Sequence, residues 1–272
     1  MAKIYEPKGA AREYSPLSLN YIKGCSHGCS YCYVPRMMKR FNKNYLHSDT
    51  YITERNNLLK SIEASCKRFK NSDDQVFLSF TTDAYSQVNI DTGITRDVLK
   101  LLLKYNIPVS ILTKAGDCVL NDLDLFLEFG DNIQVGASLV FNNDLDSEKW
   151  EPGAAKYVER ITMLRQLKNY GIRTWASIEP VIIPEQSFEI LNHAHDVVDY
   201  FKVGKINHIK KIEEKINWTE FLNDAVKVMR SNGSQFYIKN DLFKYADDNL
   251  ILSCDERNMD YFSLKNSKKN NG

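Results

Sequence analysis

Seven short runs of apolar, β-branched or aromatic residues punctuate this chain: LSLNYI (17–22), QVFLSF (75–80), IPVSILT (107–113), NIQVGASLV (132–140), IRTWASI (172–178), DYFKVG (199–204) and QFYIK (235–239). Most are separated by segments with helical spacing. Over residues 53–70, Leu58, Leu59, Ile62, Cys66 and Phe69 share one face, which makes Cys66 a packed apolar residue. Over 154–170, Val158, Ile161, Leu164 and Leu167 repeat the stripe, and Gly171 stands where a left-handed cap belongs. Over 218–231 the stripe is Phe221, Leu222, Ala225 and Met229, with Gly233 beyond it. Strand and helix in alternation imply parallel strands joined by right-handed crossovers, either curled into a complete or partial barrel or opened into a doubly wound sheet. In each case a ligand site lies at the C-terminal ends of the strands, so the residues just after each apolar run are the ones to inspect.

Composition is consistent with such a fold. The 272 residues suit a single α/β domain, and at that size roughly three quarters of the unfolded surface is buried on folding. The 36 Lys+Arg nearly cancel the 35 Asp+Glu, which gives no global field for holding nucleic acid. MAKIYEPKGA lacks the apolar core of a secretory leader, and no apolar run approaches membrane-spanning length. The expected location is therefore the cytoplasm, with thiols reduced. No internal repeat occurs, and the tail KNSKKNNG is expected to fray. The expected organisation is an N-terminal extension over 1–16, a β/α domain over 17–240, and a C-terminal extension over 241–272.

Chemistry concentrates in GCSHGCSYCY, which places Cys25, Cys29 and Cys32 within eight residues directly after the first strand run. In a reducing compartment clustered cysteines bind metal or do chemistry more often than they form disulfides. Structural zinc takes four ligands, commonly in two close pairs, whereas Cys66, Cys118 and Cys254 are isolated in the sequence. Zinc would have to recruit His27 or a distant residue such as His47. An iron–sulfur cubane also normally takes four thiolates, and a loop supplying three leaves one iron open to an exogenous ligand. Gly24 and Gly28 give the backbone freedom to wrap around such a group.

CSHGCSYC resembles the C-x3-C-x-aromatic-C signature of the radical S-adenosylmethionine (SAM) superfamily. The resemblance runs from about Leu17 to His208 and is nearest to the branch containing spore photoproduct lyase, through TTDAYS (81–86), LTKAG (112–116), GASLV (136–140), EPGAAKYVERITMLRQLKNYGI (151–172) and EPVIIPE (179–185). It implies a partial (β/α)6-type TIM barrel. It also implies a [4Fe-4S] cluster held by Cys25, Cys29 and Cys32, whose open iron chelates SAM. Tyr31 would pack on the adenine, and Thr82, Lys114 and Ser138 would contact the ribose or methionine parts. The activity implied is reductive cleavage of SAM to a 5'-deoxyadenosyl radical that takes hydrogen from a substrate, with an electron donor such as flavodoxin or ferredoxin.

Plainer readings stand beside these. Lys114 also fits a solvated loop lysine, Ser138 a residue bonding its neighbouring backbone, and Thr82 with Asp83 a turn or cap. Tyr85 and Trp175 read as core aromatics, Cys118 and Cys254 as packing thiols, and Arg36, Lys39, Arg40 and Lys43 as a solvated basic face. His193 and His195, two apart in a helical segment, do not share a face and make no metal pair. Spore photoproduct lyase uses a hydrogen-donating cysteine near the segment matched by Ser79 to Ser86, which contains none. The expectation is a radical SAM enzyme related to that lyase but distinct from it. Its substrate, whether small molecule, nucleic acid or peptide, is not specified by the sequence. The alternative is a non-catalytic zinc protein whose cysteine loop contacts nucleic acid.

Overall fold

In a computed structural model that describes residues 2–41, 43, 45, 47 and 50–265, the chain forms one parallel sheet of seven strands in sequence order. They are β1 (Leu17–Leu19), β2 (Val76–Leu78), β3 (Val109–Thr113), β4 (Ile133–Ser138), β5 (Arg173–Val181), β6 (Tyr200–Lys205) and β7 (Gln235–Ile238). Each starts inside one of the seven apolar runs, and β5 continues three residues past its run. When every crossover is right-handed and leads to the next neighbour, all helices fall on one face and the sheet curls around the other. Among the described residues β1 and β7 do not pair, so the curl remains a partial barrel with one strand more than six β/α units require. The tail expected to fray lies, from residue 266 on, outside the described residues.

The alternation of side chains along each strand separates two cores. Leu17, Leu19, Val76, Leu78, Val109, Ile111, Ile133 and Val135 face the helices, among them Arg55–Arg68 and Trp218–Ser231, in the main hydrophobic core. Phe77, Trp175 and Tyr200 face the barrel interior, where Tyr200 stacks on Trp175 and on Phe262 with ring centroids 5.8 and 4.7 Å apart. A β-carbon on Gly136 would lie 2.6 Å from the Trp175 side chain, so glycine in β4 makes the room for that indole. Tyr85 is also a core residue, its hydroxyl donating to Asp122 Oδ2 at 3.0 Å.

One stripe differs from expectation. In the helix Tyr157–Asn169, Val158 is 65% exposed, and the buried face is Arg160, Met163, Leu164 and Leu167. The first turn rolls its arginine inward because a buried carboxylate awaits it, described below, and Val158 is carried outward by the same rotation.

Residues 5–14 and 260–264 close the gap between the edge strands. Tyr5 exchanges two backbone hydrogen bonds with Ser18 of β1. Glu13 Oε1 accepts from the Tyr237 hydroxyl and the Asn240 N–H, each at 2.7 Å, and buried Lys202 donates to the Glu13 and Tyr14 carbonyls at 2.6 and 3.2 Å. Arg12 and Asp260 form a two-pronged ion pair at 2.6 and 2.8 Å, and the Leu264 N–H donates to Gln75 Oε1. Edge strands left unpaired invite association, and here they are covered from within the chain.

Candidate active site

A cavity of about 440 Å3 opens at the C-terminal ends of the strands, where the alternation places a ligand site. Cys25, Cys29 and Cys32 line one wall, joined by Tyr31, Thr82, Lys114 and Ser138, so all seven candidate residues meet at one cavity. The opposite wall contains Tyr14, Ser177, Glu179 and Lys239.

The cysteine loop is shaped by contacts far away in sequence. Gly24 and Gly28 adopt φ of +73° and +60°, angles that side chains with a β-carbon disfavour. The segment 150–155 then clamps the loop: Ser30 N–H donates to the Trp150 carbonyl, Gly153 N–H to the His27 carbonyl, and His27 Nδ1–H to the Gly153 carbonyl. A β-carbon on Gly153 would come within 2.2 Å of the Ser26 carbonyl oxygen, so the close approach requires glycine. The same segment supplies Glu151, which accepts from the Tyr31 hydroxyl and pairs with Arg160 Nη2 at 2.6 Å in full burial. Arg160 also donates to the Ser138 and Ala155 carbonyls, each at 2.8 Å, and thereby links the loop to the end of β4. Burial alone would raise the Glu151 carboxyl, but Arg160, Lys114 and Tyr31 more than offset it and hold it below its ordinary value.

Asp83 is a second tie. It is buried and accepts from Tyr85 N–H, Thr113 Oγ1 and Lys114 N–H at 2.8, 2.7 and 2.7 Å, while His27 Nε2 lies 2.9 Å away. Burial opposes its charge, yet His27, Thr113 and the Lys114 N–H outweigh burial and keep the carboxyl well below the usual range. Asp83 therefore joins the cysteine loop to the ends of β2 and β3, a larger role than a turn or cap. His27 has Nδ1 tied to the Gly153 carbonyl and Nε2 beside Asp83 Oδ2 at 2.9 Å. Among the described residues no group of three or more His, Cys, Asp or Glu is disposed to hold a single metal ion.

The polar groups aimed at the cavity fit a cluster with SAM on it. Burial pushes the Cys29 thiol up to about 11 and raises Cys25 and Cys32 as well. Thr82 Oγ1 is buried without a hydrogen-bond partner among the described residues, which leaves it free for a ligand. Lys114 Nζ lies 5.7 Å over the Tyr31 ring, and among the described residues no carboxylate reaches ion-pair distance of it. Burial opposes its charge, while Cys29 and Glu151 favour it and raise it overall.

The facing wall carries residues that the sequence did not mark individually. A register shift between Ile178 and Val181 accompanies Glu179, which accepts from the Tyr14 hydroxyl and from Lys239 Nζ, and Tyr14 also bonds Ser177 Oγ at 3.0 Å. A β-carbon at Gly204 would meet both the Glu179 and Lys239 side chains at under 3.0 Å, so β6 is bare where they cross. Burial and the neighbouring Glu179 carboxylate hold the Tyr14 phenol well above its ordinary value. The sequence traces of this wall are that Glu179 opens EPVIIPE and that Lys239 ends the seventh apolar run. Cys66 is buried, Cys118 half-buried and Cys254 exposed, and none of them lines the cavity.

Comparison with known proteins agrees with this geometry. The profile of the radical SAM superfamily matches residues 19–197. An uncharacterized protein of Methanocaldococcus jannaschii is 33% identical over 165 residues, 60% of this chain and 60% of its own length. An uncharacterized protein of Acidianus two-tailed virus is 27% identical over 189 residues, 66% of this chain and 61% of its own. The match thus spans about three fifths of these relatives. Spore photoproduct lyase with bound AdoMet and dinucleoside spore photoproduct superposes with a TM-score of 0.64 at 13% identity, covering 87% of this chain and 78% of the lyase. Streptococcus suis SuiB bound to S-adenosylmethionine gives 0.60 at 14% identity, covering 86% of this chain and 52% of SuiB. At such identities these two likenesses concern the fold alone.

Proposed function

The chain belongs to the radical SAM superfamily, and from that premise we propose that it is an enzyme in which Cys25, Cys29 and Cys32 hold a [4Fe-4S] cluster with one iron left to SAM. The observation that carries this reading is the convergence of three thiols with Tyr31, Thr82, Lys114 and Ser138 on one cavity at the strand ends. When bound, the cluster and SAM together supply a 5'-deoxyadenosyl radical able to take hydrogen from an unactivated C–H bond. The protein's part is placement and dryness. Lys114 offers an ammonium to a carboxylate, Thr82 and Ser138 offer hydroxyls, and Tyr31, fixed by Glu151, offers a ring face. The aromatic floor of Phe77, Trp175, Tyr200 and Phe262 keeps water from entering through the barrel.

The facing wall of Tyr14, Ser177, Glu179 and Lys239 is the substrate-facing side in this reading. The absence of a cysteine among its lining residues supports a reaction distinct from that of spore photoproduct lyase. Among the described residues no helix is long and apolar enough to cross a membrane. Anaerobic reconstitution with iron and sulfide, followed by dithionite and SAM, tests the proposal. It predicts a brown protein that forms 5'-deoxyadenosine. A cluster-loaded sample that makes none sinks it, and a colourless protein with one tightly held zinc would favour the zinc alternative.

A further inference from the structure

We infer that residues 8–14 are a hinged flap over the cavity, and that the protonation state of Lys202 sets how readily the flap lifts. The inference goes beyond the cluster reading above and stands without it. The segment is fixed at both ends. On one side Tyr5 exchanges backbone hydrogen bonds with Ser18 and Pro7 is buried; on the other the Ser15 hydroxyl donates to the Gln75 carbonyl at 2.8 Å. Between these anchors the short turn Gly9–Ala11 buries no residue, and Gly9, at φ +61°, has nothing within 4 Å of where a β-carbon would stand. The ion pair of Arg12 with Asp260 is about one third exposed on both sides, so it holds the turn weakly. Ala10, Ala11 and Tyr14 nevertheless line the cavity, which makes this turn a stretch of its wall that belongs to no sheet.

The latch lies on the barrel side. Lys202 Nζ, in β6, is buried and donates to the Glu13 and Tyr14 carbonyls, with the Tyr14 and Trp175 ring centres 5.4 and 5.7 Å away. Among the described residues no carboxylate reaches ion-pair distance of it. Glu13 turns its own carboxylate to the Tyr237 hydroxyl and the Asn240 N–H, Asp260 pairs with Arg12, and the charge facing Lys202 from β7 is another cation, Lys239. An ammonium that meets only carbonyls and ring faces keeps its charge at the expense of its hydration. Burial first and Lys239 second bring it down to about 7, with Arg12 adding to this and Asp260 and Glu13 opposing it. When the flap lifts, both carbonyls leave and the amine meets water, where its ordinary proton affinity returns. The open form then binds more protons than the closed one. Closure therefore strengthens as pH rises above about 7 and levels off below it. The cavity is sealed on the alkaline side and opens more often on the acid side.

Amide hydrogen exchange on the full chain tests this with the wild type, Lys202→Met and Lys202→Arg. The reporters are the Tyr14 N–H, which donates to the Ala11 carbonyl, and the Asn240 N–H, which donates to Glu13. In the wild type their protection, corrected for intrinsic exchange, should rise about fiftyfold from pH 7 to 9 and stay level from pH 5 to 6. It should be high and independent of pH in Lys202→Met, and low and independent of pH in Lys202→Arg, whose charge is permanent. Low concentrations of urea should leave the Tyr14 amide unaffected while speeding exchange at Val135 in the central strand β4, since only the latter waits for global unfolding. Wild-type protection that ignores pH overturns the inference. So does a Lys202→Met chain that follows pH as the wild type does, because another group would then be titrating. A Tyr14 amide that exchanges as slowly as that of Val135, with the same response to urea, overturns it too, because no flap would open by itself. If Lys202→Met does not fold, the wild type and Lys202→Arg decide between these outcomes.

Discussion

The two walls of the cavity are built in opposite ways. The cysteine wall takes its three thiols from one loop of eight residues and is braced from behind by Asp83, Glu151 and Gly153. The facing wall takes Tyr14, Ser177, Glu179 and Lys239 from the N-terminal segment, β5 and the end of β7, and its members brace one another directly. A local motif with remote supports suits chemistry common to many enzymes, because the motif can stay the same while the scaffold drifts. A wall assembled wholly from remote residues suits a task particular to one enzyme, since any member can change independently.

Substitutions on each wall should therefore fail differently. The largest contrast is Cys29→Ala against Glu179→Gln: the first should abolish cluster colour and bound iron, and the second should leave iron and sulfide content at the wild-type level. Equal iron loss in both would erase the distinction between the walls. Gly153→Ala, which drives a methyl into the Ser26 carbonyl, should cost about 1–3 kcal/mol of stability and lower cluster occupancy, although residue 153 touches no metal. Chemical denaturation with iron analysis checks this, and an unaffected variant would show that the clamp is dispensable.

Lys202 sharpens the other side by pH. Burial, with Lys239 nearby, pulls its ammonium down to about 7 from 10.5, so between those values the unfolded chain holds a proton that the folded chain has released. More protons on the unfolded state mean that stability from this group rises with pH above 7. The wild type should gain on the order of 2 kcal/mol relative to Lys202→Met between pH 7 and 9, read from urea midpoints. A difference independent of pH would contradict a depressed lysine. The smallest effect is expected from Tyr31→Phe, which removes the hydroxyl bond to Glu151 but keeps Arg160 paired: about 1 kcal/mol in thermal unfolding, with cluster content unchanged.

What was legible in the sequence follows the same division. The seven strands and the helices at 55–68 and 218–231 were readable because side-chain period is a local property. The cysteine loop was readable because its spacing is local too. The sequence places Tyr14 in an N-terminal extension, since nothing near it announces a partner 165 residues away. The sequence marks Asp83 only as a turn or cap partner of Thr82, and Glu151 only as the first residue of EPGAAKYVERITMLRQLKNYGI, because a buried carboxylate is recognised by what surrounds it. Apolarity points Val158 toward the core, and Arg160 displaces it through a bond to Glu151 that no hydrophobic stripe can register.

The junction of Arg12 with Asp260, and of Leu264 with Gln75, has a temporal consequence. Tyr14 is brought to its station by neighbours near both termini, so during synthesis the cysteine loop and its clamp emerge long before the far side of the chamber is finished.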